Sequence, residues 1–345
     1  MELCLKLLIF PYAKVRKKTT AYCNLDLYSQ YLLVNPRNRG CTKLSESLGT
    51  MSHDSVLNFL VREEYTPSDL FERVQSLCVL SGGTLSVDDS IWDKPYSKPA
   101  HNELIGKHYS GKHHRSVQGI CLVTLFYTDT LGVRLPVNYR IYQQEGEKTK
   151  NELFRAMLDE VLDWGLAPQL ITGDAWYASK ENLAWIRRKE LDACFGIEKD
   201  RLVSIEKGNF EQVCKMEIAQ EGNLVYLKNF DFVTVFRKEQ AKKVRHYIYY
   251  HYYKRGEDKP LKASRKSFED AHKQHWNIEE FHRAKKQLCN AENFLVRRKS
   301  AVKTHIFAVY WAFVNLEEMV KNKVIRNWYQ FRNQIQSKFI KINLT

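Results

Sequence analysis

The most constraining feature of the chain is the order of its apolar patterns between residues 82 and 198. "GGTLSVDDS" (82–90), "RSVQGICLVTLFYT" (115–128) and "RLPVNYRIY" (134–142) are three β-rich runs in succession, the last two joined across a "DTLG" turn. From there the period changes. "TKNELFRAMLDEVLDW" (149–164) opens on Thr149 with Glu152 three residues on, a capping box, and places Leu153, Met157 and Val161 at helical spacing. "PQLITGD" then reads as a strand, "SKENLAWIRRKE" as a helix and "DACFGI" as a strand again. Antiparallel-linked strands followed by alternating helices and strands bury their apolar faces as a mixed α/β sheet with helices on its faces.

This β-β-β-α-β-α-β order is that of an RNase H-like core with its last helix still owed. Residues 199–262 delay that helix with short β-prone pieces, "NLVYLKNF", "FVTVF" and the tyrosine-rich "RHYIYYHYYK" among them, and are expected to form a β-rich insertion. The owed helix is then "HKQHWNIEEFHRAKKQ" (272–287). Upstream, 24–76 reads mainly helical, with Thr66 or Ser68 as one N-cap. The expected organisation is a helical N-terminal region over 1–80, the core over 81–198 and 263–320, the insertion over 199–262, and a basic tail over 321–345.

Carboxylates fall at informative places on these elements. Asp88 and Asp89 end the first core strand, Asp174 ends "LITGD", and Glu279 and Glu280 sit in the late helix. Strand ends of open α/β sheets are where a crevice opens for ligands. Acids gathered there repel one another unless a cation bridges them, and hard oxygen donors suit Mg²⁺ or Mn²⁺. Taken singly, each acid is better explained as a turn former, a cap or a solvated helix residue, and it is their combination that carries weight. On the late helix, His272, His275, Glu279, His282, Arg283 and Lys286 share one stripe, while Ile278, Phe281, Lys285 and Leu288 share another, on which Ile278, Phe281 and Leu288 can bury. A carboxylate flanked by cations is suited to a phosphodiester whose neighbouring phosphates need holding. The competing reading is a surface helix with a Glu279–Arg283 ion pair, which leaves Trp276 and the histidine spacing unexplained.

Charge points the same way. The chain of 345 residues carries 54 Lys and Arg against 40 Asp and Glu, and the excess of +14 is uneven. Residues 237–345 hold 25 basic and 10 acidic side chains, whereas residues 1–236 hold 29 and 30. A basic third on a neutral body is the electrostatic footprint of a nucleic-acid binder. Its eight cysteines form no CxxC pair, which suits a reducing, cytoplasmic setting. The apolar start "LCLKLLIFPYA" is too short to span a bilayer, so no membrane association is expected.

The pattern "SVDDS…ITGDAWY…HWNIEEFHRAKK" resembles the DDE transposases of bacterial insertion sequences, in the group whose helix reads Tyr-x2-Arg-x3-Glu-x6-Lys. Glu279 and Lys286 match the second half of that helix motif; His272 and His275 stand where the family has Tyr and Arg. The resemblance spans roughly 24–310 and implies an RNase H-like core in which Asp88, Asp174 and Glu279 are catalytic and bind two Mg²⁺, with Mn²⁺ able to substitute. Strand alternation sends Asp88 and Asp89 to opposite faces. The family's acid-then-hydroxyl spacing fits Asp88 with Ser90.

The resemblance further implies DNA cleavage at transposon ends and strand transfer into target DNA by a homodimer on double-stranded DNA. His272, His275, Trp276, Arg283 and Lys286 would contact DNA near the cut, with Arg297, Arg298, Lys299 and the basic tail contacting it elsewhere. In some members a tryptophan of the insertion stacks on a flipped base; residues 199–262 contain none. The alternatives are an RNase H-like nuclease without strand transfer and an inactive, transposase-derived DNA-binding protein.

Overall fold

The computed structural model describes residues 23–34, 40–49, 51–97, 99–111, 113–206, 208–240, 243–254, 256 and 259–334. The apolar start and the tail beyond 334 therefore lie outside the described residues.

Among the described residues, four short helices come first: α1 (Leu25–Val34), α2 (Cys41–Leu48), α3 (His53–Arg62) and α4 (Pro67–Val74). Thr66 caps α4, its N–H donating to the Asp69 carboxylate at 2.7 Å with Pro67 at the first helical position. The core strands β1 (Thr84–Asp93), β2 (Gly106–Ser110), β3 (Arg115–Thr128) and β4 (Arg134–Tyr142) follow. Then helix and strand alternate as α5 (Lys150–Asp163), β5 (Leu170–Gly173), α6 (Lys180–Arg188) and β6 (Asp192–Ile197). The capping box of α5 is made as its sequence demands, Thr149 N–H donating to Glu152 at 2.7 Å and Glu152 N–H to the Thr149 hydroxyl at 3.3 Å.

Strands β4-β3-β1-β5-β6 lie side by side, β1, β5 and β6 parallel and β3 and β4 antiparallel. That is the RNase H-like arrangement. Before the long helix α7 (Arg265–Leu288) the chain forms β7 (Leu202–Ser204), β8 (Glu211–Gln212), β9 (Asn223–Leu227), β10 (Phe232–Gln240) and β11 (Lys243–Tyr250). These strands extend the same sheet, because β11 pairs antiparallel with β6 over 193–197. Helix α8 (Lys299–Lys321) is almost wholly buried.

The two faces of the sheet are covered differently. Phe126 of β3 stacks on Phe281 of α7 at 4.9 Å, and Thr124 meets the Tyr310 hydroxyl of α8 at 2.7 Å. On the other face Asn138 donates to Glu160 of α5 at 2.9 Å. Helices α1–α4 pack around α8 in the same core: Tyr28 bonds His305 at 2.9 Å, and Arg73 pairs with Glu318. The described part of 321–345 is packed as well, with Trp328 and Phe331 buried.

Three details depart from sequence expectation. The first core strand runs to Asp93, three residues past the apolar run, because β3 continues to pair with it. Strand β2, rich in polar residues, forms by pairing with the start of β3. Lys285 is fully buried beside Phe281, since the apolar stripe of α7 is continuous through that position.

Candidate active site

The register of β1 and β5 decides where the acids meet. Ser86 pairs with Thr172 and Val87 with Gly173. The next residue on each chain segment is an aspartate: Asp88, midway along β1, and Asp174, just past the last residue of β5, stand side by side where the β1–β5 pairing ends. Residue 173 must be glycine for β5 to lie this flush: a Cβ there would stand 2.5 Å from the Phe195 ring and 2.9 Å from Val87. Asp88 Oδ1 accepts the N–H of Asp89 at 2.8 Å, and Asp174 Oδ1 accepts that of Trp176 at 3.0 Å. Local backbone thus holds one oxygen of each carboxylate.

Helix α7 crosses this end of the sheet. The Thr84 hydroxyl donates to Gln274, and the Thr172 hydroxyl lies 3.3 Å from His275 Nδ1. Farther along, His282 Nε2 lies 3.3 Å from Asp88 Oδ2, close but misaligned for a hydrogen bond. Glu279 is one turn from each histidine and therefore faces the same aspartates.

The electrostatics register this crowding. Asp88 is pushed up to about 7, by burial first and then by the charge of Asp89. Asp174 is pushed up to about 7, by burial and then by Asp88 and Asp89. Glu279 also rises to about 7, by burial and then Asp88, against the opposing pull of Arg283 and Arg245. Asp174 and Glu279 keep their outer rims exposed, so crowding by protein atoms, not full enclosure, thins their hydration. Mutually repelling carboxyls with only hard oxygen donors fit divalent cations of the Mg²⁺ type. As placed, no three acid, histidine or cysteine side chains among the described residues close on a single point. Such an open rim suits an ion that keeps waters and takes phosphate oxygens as further ligands.

Asp89 points the other way. Its carboxylate accepts from Lys150 Nζ at 2.8 Å and from the Tyr177 hydroxyl at 3.2 Å, with the Cys121 thiol at 3.5 Å. It is thereby satisfied, and Asp88 alone of the pair lies on the face crossed by α7.

Beside the acids opens a cleft of about 410 Å³, lined by Asp174, Arg245, Tyr247, His275, Trp276 and Glu279, among others. His272 lies in it, 3.3 Å from the Tyr247 hydroxyl and 3.4 Å from Lys238 Nζ. Burial pushes both His272 and His275 down to about 4, so both rings are neutral at pH 7. Trp276 stays 48% exposed on the rim and Arg283 is exposed, though outside the lining. Lys286 is engaged, 2.9 Å from Glu292 and donating to the Ile91 carbonyl. Arg297, Arg298 and Lys299 stand exposed at the start of α8, outside the lining of the cleft, and Lys299 pairs with Glu103 at 2.7 Å.

Sequence reasoning missed Arg245, Trp176 and the depth of His282 and Lys285. Arg245 reaches the site only because β11 pairs beside β6, a partnership between segments with no local signal. Trp176, 64% exposed, follows Asp174 by two residues and was legible in "TGDAWY".

The chain matches the transposase DDE domain over residues 81–314. Among solved structures, it is similar to the piggyBac transposase in a synaptic complex with hairpin DNA, at 15% identity and a TM-score of 0.51, covering 99% of this chain and 76% of that one. The Drosophila P element transposase in a strand transfer complex aligns at 12% identity and a TM-score of 0.30, covering 61% of this chain and 52% of that one, too loosely to carry an argument. At such identities the piggyBac likeness concerns the fold alone. No curated protein matches the sequence. With the family match running from β1 through the middle of α8, and therefore over Asp88, Asp174 and Glu279, the chain belongs to the transposase DDE-domain family.

Proposed function

We propose that this transposase cleaves DNA at the ends of its own element and joins the freed 3′-ends to target DNA, using Asp88, Asp174 and Glu279 to hold two Mg²⁺ ions, with Mn²⁺ as a substitute. The observation that supports this reading is that Asp88 and Asp174 lie side by side where the β1–β5 pairing ends and Glu279 of α7 faces them, with no cation of the chain bonded to Asp174 or Glu279 among the described hydrogen bonds and ion pairs. When bound, the ions would neutralise the carboxylates, polarise the scissile phosphate and lower the pKa of an attacking water or hydroxyl.

The residues of the chain do the rest. Backbone N–H groups fix one oxygen of Asp88 and one of Asp174, which sets their orientation before DNA arrives. Arg245 and Arg283, whose charges pull against the upward shift of Glu279, would hold phosphates flanking the cut. Neutral His272 and His275 can hydrogen-bond a phosphate but add no charge, and Trp276 on the rim offers a stacking face. Lys286 would have to leave Glu292 to join them. Arg297, Arg298 and Lys299 would contact DNA backbone farther from the cut. The helical N-terminal region would help grip the element end. Joining two ends in one event calls for a homodimer on DNA. Among the described residues no helix is long and apolar enough to cross a membrane.

The test is cleavage and integration, in Mg²⁺ or Mn²⁺, of DNA duplexes carrying the inverted repeats that flank the gene. Glu279→Gln lowers both by about 10²-fold or more. A folded Glu279→Gln protein that cuts and joins at the wild-type rate overturns the assignment.

A further inference from the structure

The face of the sheet opposite α7 carries a closed ring of hydrogen bonds that cleavage chemistry has not claimed. Asp89 is its first member, accepting from Lys150 Nζ and from the Tyr177 hydroxyl. Lys150 opens α5, and its neighbour Asn151 accepts from Asn182 Nδ2 of α6 at 2.8 Å. The same Nδ2 donates to the Tyr177 carbonyl at 3.0 Å, and Arg155 of α5 donates to Asn182 Oδ1 at 2.7 Å. The ring therefore runs from Asp89 through the first turn of α5 to Asn182, on to Tyr177, and back to Asp89.

Its members sit next to the carboxylates on the other face. Asp89 follows Asp88 directly, and Tyr177 closes the three-residue turn that Asp174 caps. Pairing of β1 with β5 ends at Val87 and Gly173, one residue before the two aspartates. Beyond that rung the ladder no longer sets their separation. The Tyr177–Asp89 bond is a side-chain link between the two segments after the ladder ends. Tyr177 and Asn182 are fully buried, and Tyr177 packs edge-on against Phe154 at 5.9 Å, so the link is held rigidly.

We propose that Asp89, Lys150 and Tyr177 form a positioning clamp that sets the spacing of Asp88 and Asp174 from behind the sheet, and with it the affinity of that pair for divalent cations. This rests on the reading of Asp88 and Asp174 as metal ligands. Asp89 is then a positioning residue, which explains why a second carboxylate stands beside the first without sharing its face. Groups that orient metal ligands from outside the coordination sphere are typically worth about 10–100-fold in metal affinity.

The experiment is a Mn²⁺ titration of the full-length protein, read by electron paramagnetic resonance of free Mn²⁺ and by the metal-dependent rise in Tm. Tyr177→Phe, which keeps the ring and removes only the hydroxyl, raises the Mn²⁺ half-saturation by about 10-fold. Its cleavage rate at saturating Mn²⁺ stays near wild type, a split that a general loss of stability does not produce. Lys150→Met shifts the half-saturation in the same direction, and Lys150→Arg, which still reaches Asp89, restores it. Unchanged half-saturation in folded Tyr177→Phe and Lys150→Met overturns the clamp. Asp88→Asn separates the two ideas, because it abolishes tight Mn²⁺ binding if Asp88 is a ligand. Wild-type Mn²⁺ binding by Asp88→Asn overturns the ligand assignment itself, whatever the clamp variants do.

Discussion

The two faces of the sheet midway along β1 hold adjacent aspartates in opposite circumstances. Asp89 meets a lysine, a tyrosine hydroxyl and a thiol, and its charge is answered. Asp88 meets Asp174, Glu279 and a misaligned histidine, and is pushed up to about 7 by burial and the neighbouring charge of Asp89. One face has been completed by the fold; the other has been left electrostatically open. Folding alone favours the first arrangement, because unpaired buried charge is costly. A site that must accept cations and phosphates requires the second.

The contrast is sharpest in activity. Glu279→Gln on the open face is expected to remove cleavage, whereas Tyr177→Phe on the closed face shifts only the metal requirement. Equal losses of saturated rate from both would break the distinction. Stability should show the reverse weighting. Asn182→Ala leaves Asn151, Arg155 and the Tyr177 carbonyl short of a partner and is expected to cost about 2–3 kcal/mol in urea denaturation. A loss below about 0.5 kcal/mol would show that water replaces the ring at little cost.

On the side of α7 and α8, the Lys285 ammonium is buried among Trp92, Phe281 and Tyr310, at 5.8, 4.7 and 5.2 Å from the rings, with no hydrogen-bond partner among the described residues. Burial drives its pKa well down. Lys285→Met conserves volume and removes the orphaned amine, and is expected to raise stability by about 1–2 kcal/mol. A fall in stability instead would mean that Lys285 offsets the charge of Asp88.

An effect of similar size is expected from pH. Burial, with the charge of Lys94, pushes His305 of α8 down to about 3. A histidine depressed in the folded state contributes stability above pH 6.5 that is lost as pH falls below 6.5, since only the unfolded chain then takes up the proton. Between pH 7 and 5 the loss from this residue is about 1–2 kcal/mol. His305→Gln should show a shallower decline in unfolding free energy over that range, and an unaltered slope would place the acid sensitivity elsewhere.

Much of the core was legible because its signals are local. The strands 115–128, 134–142 and 192–197 and the helix 150–163 begin and end where alternation, helical spacing and the Thr149 capping box place them. The acids at 88, 174 and 279 stood out by their positions on those elements. Polar β2 carried no such signal, nor did the joining of β11 to β6 that brings Arg245 to the cleft. Lys285 was placed on the apolar stripe of α7, but its charge concealed how deeply the stripe buries it.

By itself the sequence determined most of the core elements and the acids they carry, since periodicity, caps and residue type act over a few residues along the chain. Only the tertiary structure decided which of two adjacent aspartates is open. That choice depends on the β1–β5 register, on the side from which α7 crosses, and on a lysine and a tyrosine 61 and 88 residues away from Asp89. Long-range pairing of this kind is set by how whole faces pack, and leaves no mark in the local pattern of residues.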